Sequence, residues 1–226
     1  MKLFFRTATI SAAVLLLSAI NTFAIDHKGI TETFLADGNF VLIDDGVPTP
    51  IIYDEADLEG VKIAARNLRE DFKRVCGATP SIGTGTTSER AIIVGSPQSK
   101  LIAGLEAAGK LDLSGIKGKW ETYVITTVSD PMEGIKDALV ITGSDKRGTI
   151  YGIYEISEQI GVSPWYYWAD VPTEHHSNVS IRRGVWTVDE PAVKYRGIFL
   201  NDEAPCLTSW VKNAFGTDYG GHEFYA

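Results

Sequence analysis

The sequence predicts an α/β domain built on a mixed sheet, followed by the opening of a second domain. Three observations carry that prediction. Apolar runs with strand character alternate with segments whose apolar residues recur at three- and four-residue steps. One run, Ala91-Ile92-Ile93-Val94-Gly95, is apolar at every position, the pattern of a strand buried on both faces. The residues after Pro191 supply one strand and one helix, too few to bury a core alone.

The chain opens with a leader. Lys2 and Arg6 form a positive start, and Ile10 to Ile20 form an apolar run too short to span a bilayer comfortably. Thr22-Phe23-Ala24 has the small-x-small form of a cleavage site, so residues 1–24 are read as a signal peptide cut after Ala24. The residue directly after the cut is Ile25 and not a cysteine, which argues against a lipoprotein. The expected location is periplasmic or extracellular.

Phe40 to Ile43 reads as a strand that ends in the turn Asp44-Asp45-Gly46, and Ile51-Ile52-Tyr53 as the next strand. Leu58, Val61, Ala64, Ala65, Leu68, Phe72 and Val75 then lie on one helix face. Asp54 or Asp57 is placed to cap that helix and Gly77 to end it. After the strand at Ala91–Gly95, weak helical character runs from Leu101 to Ala108. Tyr123–Val128 and Ala138–Thr142 read as strands split by a turn at Ser129-Asp130-Pro131. Ser144–Gly148 opens a helix with Ile150, Ile153, Tyr154, Ser157 and Ile160 as its inner stripe and Gly161 as its end. Ile181–Val188 reads as one strand. A domain boundary falls near Asp189-Glu190-Pro191, dividing residues 25–189 from 190–226. Tyr195–Leu200 is the strand beyond it, stopping at Asn201-Asp202-Glu203, and Leu207–Phe215 is the helix that follows.

The formal net charge is −8, and loss of Lys2 and Arg6 with the leader takes it to −10. Such acidity excludes nucleic acid and anionic membrane as partners held by bulk electrostatics. Cys76 and Cys206 are far apart in segments of different character and are expected to stay free. His175-His176 lack the i, i+4 spacing of a helical zinc site, so no metal is expected. Gly83, Gly85, Gly95 and Gly104 form no dinucleotide fingerprint.

Three features carry candidate chemistry. Asn201, Asp202 and Glu203 sit at a strand end, where two carboxylates and an amide hold sugar hydroxyls or transfer protons. The competing reading makes Asp202 a helix cap and Glu203 a solvated residue. Trp165-Tyr166-Tyr167-Trp168 offers aromatic faces for sugar stacking, or else a packed seam. Ser144–Gly148, with Lys146 and Arg147, opens a helix and so suits an anion such as a uronate, or else holds only a cap and two solvated cations.

Two stretches resemble a known family. Ser144-Asp145-Lys146-Arg147-Gly148-Thr149-Ile150-Tyr151-Gly152-Ile153-Tyr154-Glu155, continuing to Trp165 and Trp168-Ala169-Asp170-Val171-Pro172, resembles the last helix of the N-terminal domain of glycoside hydrolase family 115. A looser version of it occurs in the accessory domains of families 67 and 20. Lys194-Tyr195-Arg196-Gly197-Ile198-Phe199-Leu200-Asn201-Asp202-Glu203-Ala204-Pro205, with Trp210 and His222-Glu223-Phe224-Tyr225, resembles the opening of the family 115 barrel. The resemblance implies that residues 190–226 begin a truncated (β/α)8 barrel. It implies an inverting α-glucuronidase that removes α-1,2-linked glucuronic acid or its 4-O-methyl ether from xylan or a related acidic polysaccharide, without cofactor. Asn201, Asp202 and Glu203 then become substrate-binding residues, with Lys146, Arg147 and Trp168 as lesser ones. The general acid and base would lie beyond residue 226, leaving this stretch inactive alone. A homodimer of the full-length parent is compatible with the sequence, which does not fix the oligomeric state. The alternative is a non-catalytic carbohydrate-binding or structural domain.

Overall fold

The computed structural model describes residues 29–166, 169–197 and 207–216. The expected signal peptide lies outside them. The chain divides into two compact units, Met1–Glu190 and Pro191–Ala226.

In the first unit the described elements are β1 (Thr31–Glu32), β2 (Phe40–Asp44), β3 (Val47–Pro48), β4 (Ile51–Ile52), α1 (Glu59–Cys76), β5 (Ile82–Gly83), β6 (Arg90–Val94), α2 (Lys100–Ala107), β7 (Tyr123–Met132), β8 (Ile135–Gly143), α3 (Lys146–Gln159), β9 (Val179–Ile181) and β10 (Val185–Val188). The second unit holds α4 (Leu207–Phe215). Of the strand expected at Tyr195–Leu200, residues 195–197 carry no regular structure and the rest lies outside the described residues.

A six-stranded sheet in the order β10-β7-β8-β6-β4-β5 forms the centre of the first unit. Strands β8, β6, β4 and β5 run parallel, whereas β7 is antiparallel to both β8 and β10, so the sheet is mixed. Its faces bury two separate clusters. Ile51, Ile92, Val94, Ile125, Leu139 and Ile141 face one, and Ile52, Ala91, Ile93, Val124, Ala138 and Val140 face the other. This is why Ala91–Val94 is apolar at every position: successive side chains enter opposite clusters. Helices α1 and α3 cover the first face, while α2 with Leu111, Leu113 and Ile116 covers the second. A small antiparallel sheet, β1-β9-β2-β3, adds Phe40, Leu42, Ile43, Val179 and Ile181 to the first cluster.

Helix α1 follows its sequence pattern closely. Val61, Ala64, Ala65, Leu68, Phe72 and Val75 are buried, and Gly77 closes it in the left-handed conformation with its N–H donating to Lys73 O. The cap differs from the expectation. The N-cap residue is Leu58, with no side-chain cap. Asp54 instead accepts from Ala56 N and Lys100 N (3.0 and 2.8 Å), and Asp57 accepts from Ser96 N (2.8 Å) and Ser96 Oγ. Both carboxylates tie the loop after β4 to the loop after β6. Those strands are parallel neighbours, so partners outside the helix compete successfully for the side chains.

Three further expectations are corrected. Ser129-Asp130-Pro131 is not the turn between two strands. It is an irregularity inside β7, and the chain reverses at Glu133-Gly134, where Met132 pairs with Ile135. A bulge absorbs the proline that the ladder would otherwise exclude. Ile181–Val188 is not one strand, because the chain passes from β9 in the small sheet to β10 in the large one. Tyr154 does not belong to the inner stripe of α3. It is 42% exposed, and Gly152, Ile153, Ile156 and Ser157 form the buried face.

Candidate functional site

The motif that opens α3 is held by hydrogen bonds within the chain. Asp145 is the N-cap, and its carboxylate accepts from Gly148 N (2.8 Å) and Glu121 N (2.9 Å). Ser144 N donates to Thr122 O (2.8 Å), and Ser144 Oγ accepts from Thr122 N (3.1 Å). Three glycines allow the close fit. A Cβ at Gly143 would meet Thr149 N at 2.2 Å, one at Gly148 would meet Thr122 O at 2.2 Å, and one at Gly152 would meet Ile141 Cγ2 at 3.1 Å. The pattern that reads as an anion-binding helix start is therefore also a packing device, seating α3 on the ends of β7 and β8.

Arg147 and Lys146 are both exposed. Arg147 Nη1 lies 2.9 Å from Glu121 Oε1, and that hydrogen bond and charge raise the guanidinium pKa above its ordinary value. Its cation thus faces a carboxylate, and the cap of the same helix is another carboxylate. Asn201, Asp202, Glu203 and Trp168 lie outside the described residues, as does Cys206. Cys76 is a buried free thiol.

A different concavity forms where the C-terminal halves of α1 and α3 run side by side. Asn67 Nδ2 donates to Tyr154 Oη (2.7 Å), and Arg74 lies over the Tyr166 ring at 5.0 Å from its centroid. Between them is a pocket of about 630 Å³, with Tyr123 and Glu155 on its wall. Tyr123 Oη donates to Glu155 Oε2 (2.8 Å), and Glu155 Oε1 accepts from Gln159 Nε2 (2.8 Å). Burial first, and the Glu155 carboxylate second, push the Tyr123 phenol far above its usual range. The sequence reading does not identify this pocket, because its walls are distant in the chain. One signal was present: Tyr151, Tyr154, Glu155 and Glu158 recur at three- and four-residue steps on one face of α3.

Comparison with known proteins places this fold. Residues 188–226 match the family model described as Glycosyl hydrolase family 115, and that stretch includes Asn201, Asp202 and Glu203. Among solved structures, a family GH115 4-O-methyl-α-glucuronidase, BtGH115A, with specificity for decorated arabinogalactans, superimposes with a TM-score of 0.64 at 36% sequence identity. The match covers 78% of this chain and 22% of that one. The GH20 β-N-acetylhexosaminidase from Streptomyces coelicolor A3(2) superimposes at a TM-score of 0.40 and 9% identity over 69% of this chain and 24% of that one, too weakly to bear on the fold. No curated protein matches the sequence. The chain belongs to glycosyl hydrolase family 115. It spans about a fifth of the length of the family member it superimposes on.

Proposed function

We propose that this chain is the N-terminal part of an exported glycoside hydrolase that releases α-1,2-linked glucuronic acid, or its 4-O-methyl ether, from xylan or arabinogalactan. The observation that supports the reading is 36% identity over 78% of the chain with a 4-O-methyl-α-glucuronidase, joined to the family match over 188–226. In this reading residues 1–24 direct export, residues 25–189 are the accessory domain, and 190–226 begin the catalytic barrel. Asn201, Asp202 and Glu203 position the sugar at its mouth. Hydrolysis with inversion needs one carboxylic acid to protonate the leaving oxygen and one carboxylate to activate water on the opposite face. Those two groups lie on parts of the barrel beyond residue 226, so the present chain alone is inactive.

The test uses the product of the complete reading frame. Incubated with 4-O-methylglucuronoxylan and with arabinogalactan, it releases free uronic acid, and proton NMR shows the inverted anomer first. Asp202→Ala in that protein lowers kcat/KM. Absence of released uronate from both polymers removes the proposal, and turnover by the 226-residue chain alone removes the claim that it is inactive.

A further inference from the structure

The pocket between α1 and α3 plays no part in the chemistry assigned above, and it has the attributes of a ligand site. Its volume of about 630 Å³ is typical of small-molecule sites. Tyr151, Tyr154 and Tyr166 line it while remaining 37%, 42% and 37% exposed. A ring with an apolar face and a wet hydroxyl matches a pyranose, whose C–H faces are apolar and whose edge is polar. Two of these rings are held before any ligand arrives, Tyr154 by Asn67 and Tyr166 by Arg74, which lowers the ordering cost of binding.

A second observation is independent of the aromatics. Ser157 lines the same pocket and is 4% exposed, and its Oγ has no hydrogen-bond partner among the described residues. A buried hydroxyl left unpaired costs free energy, and this one lies just beneath the pocket wall with its oxygen closed to solvent.

Charge then selects the ligand. Arg74 is the pocket's cation, and Asp71 pairs with it at 2.6 Å. Glu155 and Glu158 add negative charge to the same wall. Ionised carboxylates only accept hydrogen bonds, which suits the hydroxyls of a sugar and opposes a second carboxylate.

We propose that this pocket is a subsite for a neutral sugar residue of the glycan, and that it discriminates against the uronic acid itself. The inference rests on the glycan-cleaving reading for the kind of polymer presented to it.

The test is affinity electrophoresis of the full 226-residue chain in gels containing 4-O-methylglucuronoxylan or arabinogalactan. Each polymer is also used after carboxyl reduction, which turns its uronates into neutral sugars. The expected result is retardation by at least one polymer, stronger after reduction. Tyr151→Ala weakens the binding about tenfold, as loss of a stacked ring would. Because that change touches a helix, Glu158→Gln on the exposed surface provides a second variant. It strengthens binding of the uronate-bearing polymer by about twofold to fivefold, the factor a surface charge carries, and does not strengthen binding of the reduced polymer. Lack of retardation by every polymer, retardation that requires the carboxylates, or indifference to both substitutions would overturn the proposal. A complete enzyme that releases no uronate removes the proposed function but not the retardation. Hydrolysis without retardation removes only the subsite.

Discussion

Gly148 approaches the backbone of Thr122 so closely that a Cβ on residue 148 would stand 2.2 Å from the Thr122 carbonyl oxygen. That oxygen already accepts from Ser144 N at 2.8 Å, so it is not free to move aside. The helix start, its cap and the entry to β7 are thereby one rigid joint.

Gly148→Ala is expected to destabilise the protein by about 3 kcal/mol or more, at the upper end of overpacking costs. Gly104 is the control. It lies within α2 and is exposed, and a Cβ there would meet nothing within 4 Å. Gly104→Ala should stabilise by about 0.4–1 kcal/mol, because alanine restricts the unfolded chain. Urea titrations of the two variants check the opposite signs.

Tyr123 links stability to alkaline pH. It is 6% exposed and donates to Glu155, and its phenol pKa lies far above its ordinary value of 10.0 through burial and then the Glu155 charge. The neutral phenol is therefore favoured in the folded state. Its contribution is complete below pH 10 and is lost as pH rises, where the unfolded chain releases the proton first. The slope approaches about 1.4 kcal/mol per pH unit. Tyr123→Phe should remove that slope above pH 10, read from denaturation midpoints between pH 9 and 11.

Much of this architecture was legible because burial and period coincide. The stripe from Val61 to Val75 faces one continuous cluster, so its spacing survives intact. Ala91–Val94 betrays a two-faced sheet because both of its faces are covered. Other short elements left no such trace. Strands β1, β3 and β5 are two residues each, less than one period of alternation beyond the first pair. The break between β9 and β10 is hidden because Val179–Ile181 and Val185–Val188 are both β-prone, and only the contacts beyond them differ. Tyr154 was misplaced because an aromatic on an apolar period reads as core, whereas its hydroxyl bonds to exposed Asn67. The pocket was illegible because Asn67, Arg74, Tyr123 and Tyr166 converge only in three dimensions. Asn201–Glu203 stand out in the sequence by their place at an expected strand end, and the family resemblance is what favours substrate binding over a helix cap there.

Asp54 should show the opposite pH dependence. The Lys100 N–H first, and the Ala56 N–H second, hold its carboxyl below its ordinary value of 3.8. A depressed pKa means stability that is present at neutral pH and lost as acidification protonates the native carboxylate. Asp54 anchors the first residue of α2 from another loop, so Asp54→Ala should cost about 1 kcal/mol at pH 7, as for a helix cap. The difference from wild type should narrow as pH falls below 3.8. A gap that persists through that range would mean packing, not charge, is responsible.

Arg183 joins the two sheets. Its Nε donates to Gly38 O (2.8 Å), ahead of β2, while Nη1 and Nη2 donate to the two carboxylate oxygens of Asp137 (2.9 and 2.5 Å) in β8. Arg183 itself lies in the link between β9 and β10, so one guanidinium fixes where the chain leaves the small sheet for the large one. The pair is partly exposed, with side-chain accessibilities of 42% and 21%, so solvent screening keeps its coupling to about 1 kcal/mol. A double-mutant cycle of Arg183→Ala and Asp137→Ala measures that coupling. Arg183→Lys should recover less than half of it. An ammonium cannot make two parallel bonds to Asp137 while also reaching Gly38 O, so the geometry is lost although the charge is kept. Full recovery by lysine would show that the charge alone carries the interaction and that the planar fork does not set the crossing between the sheets.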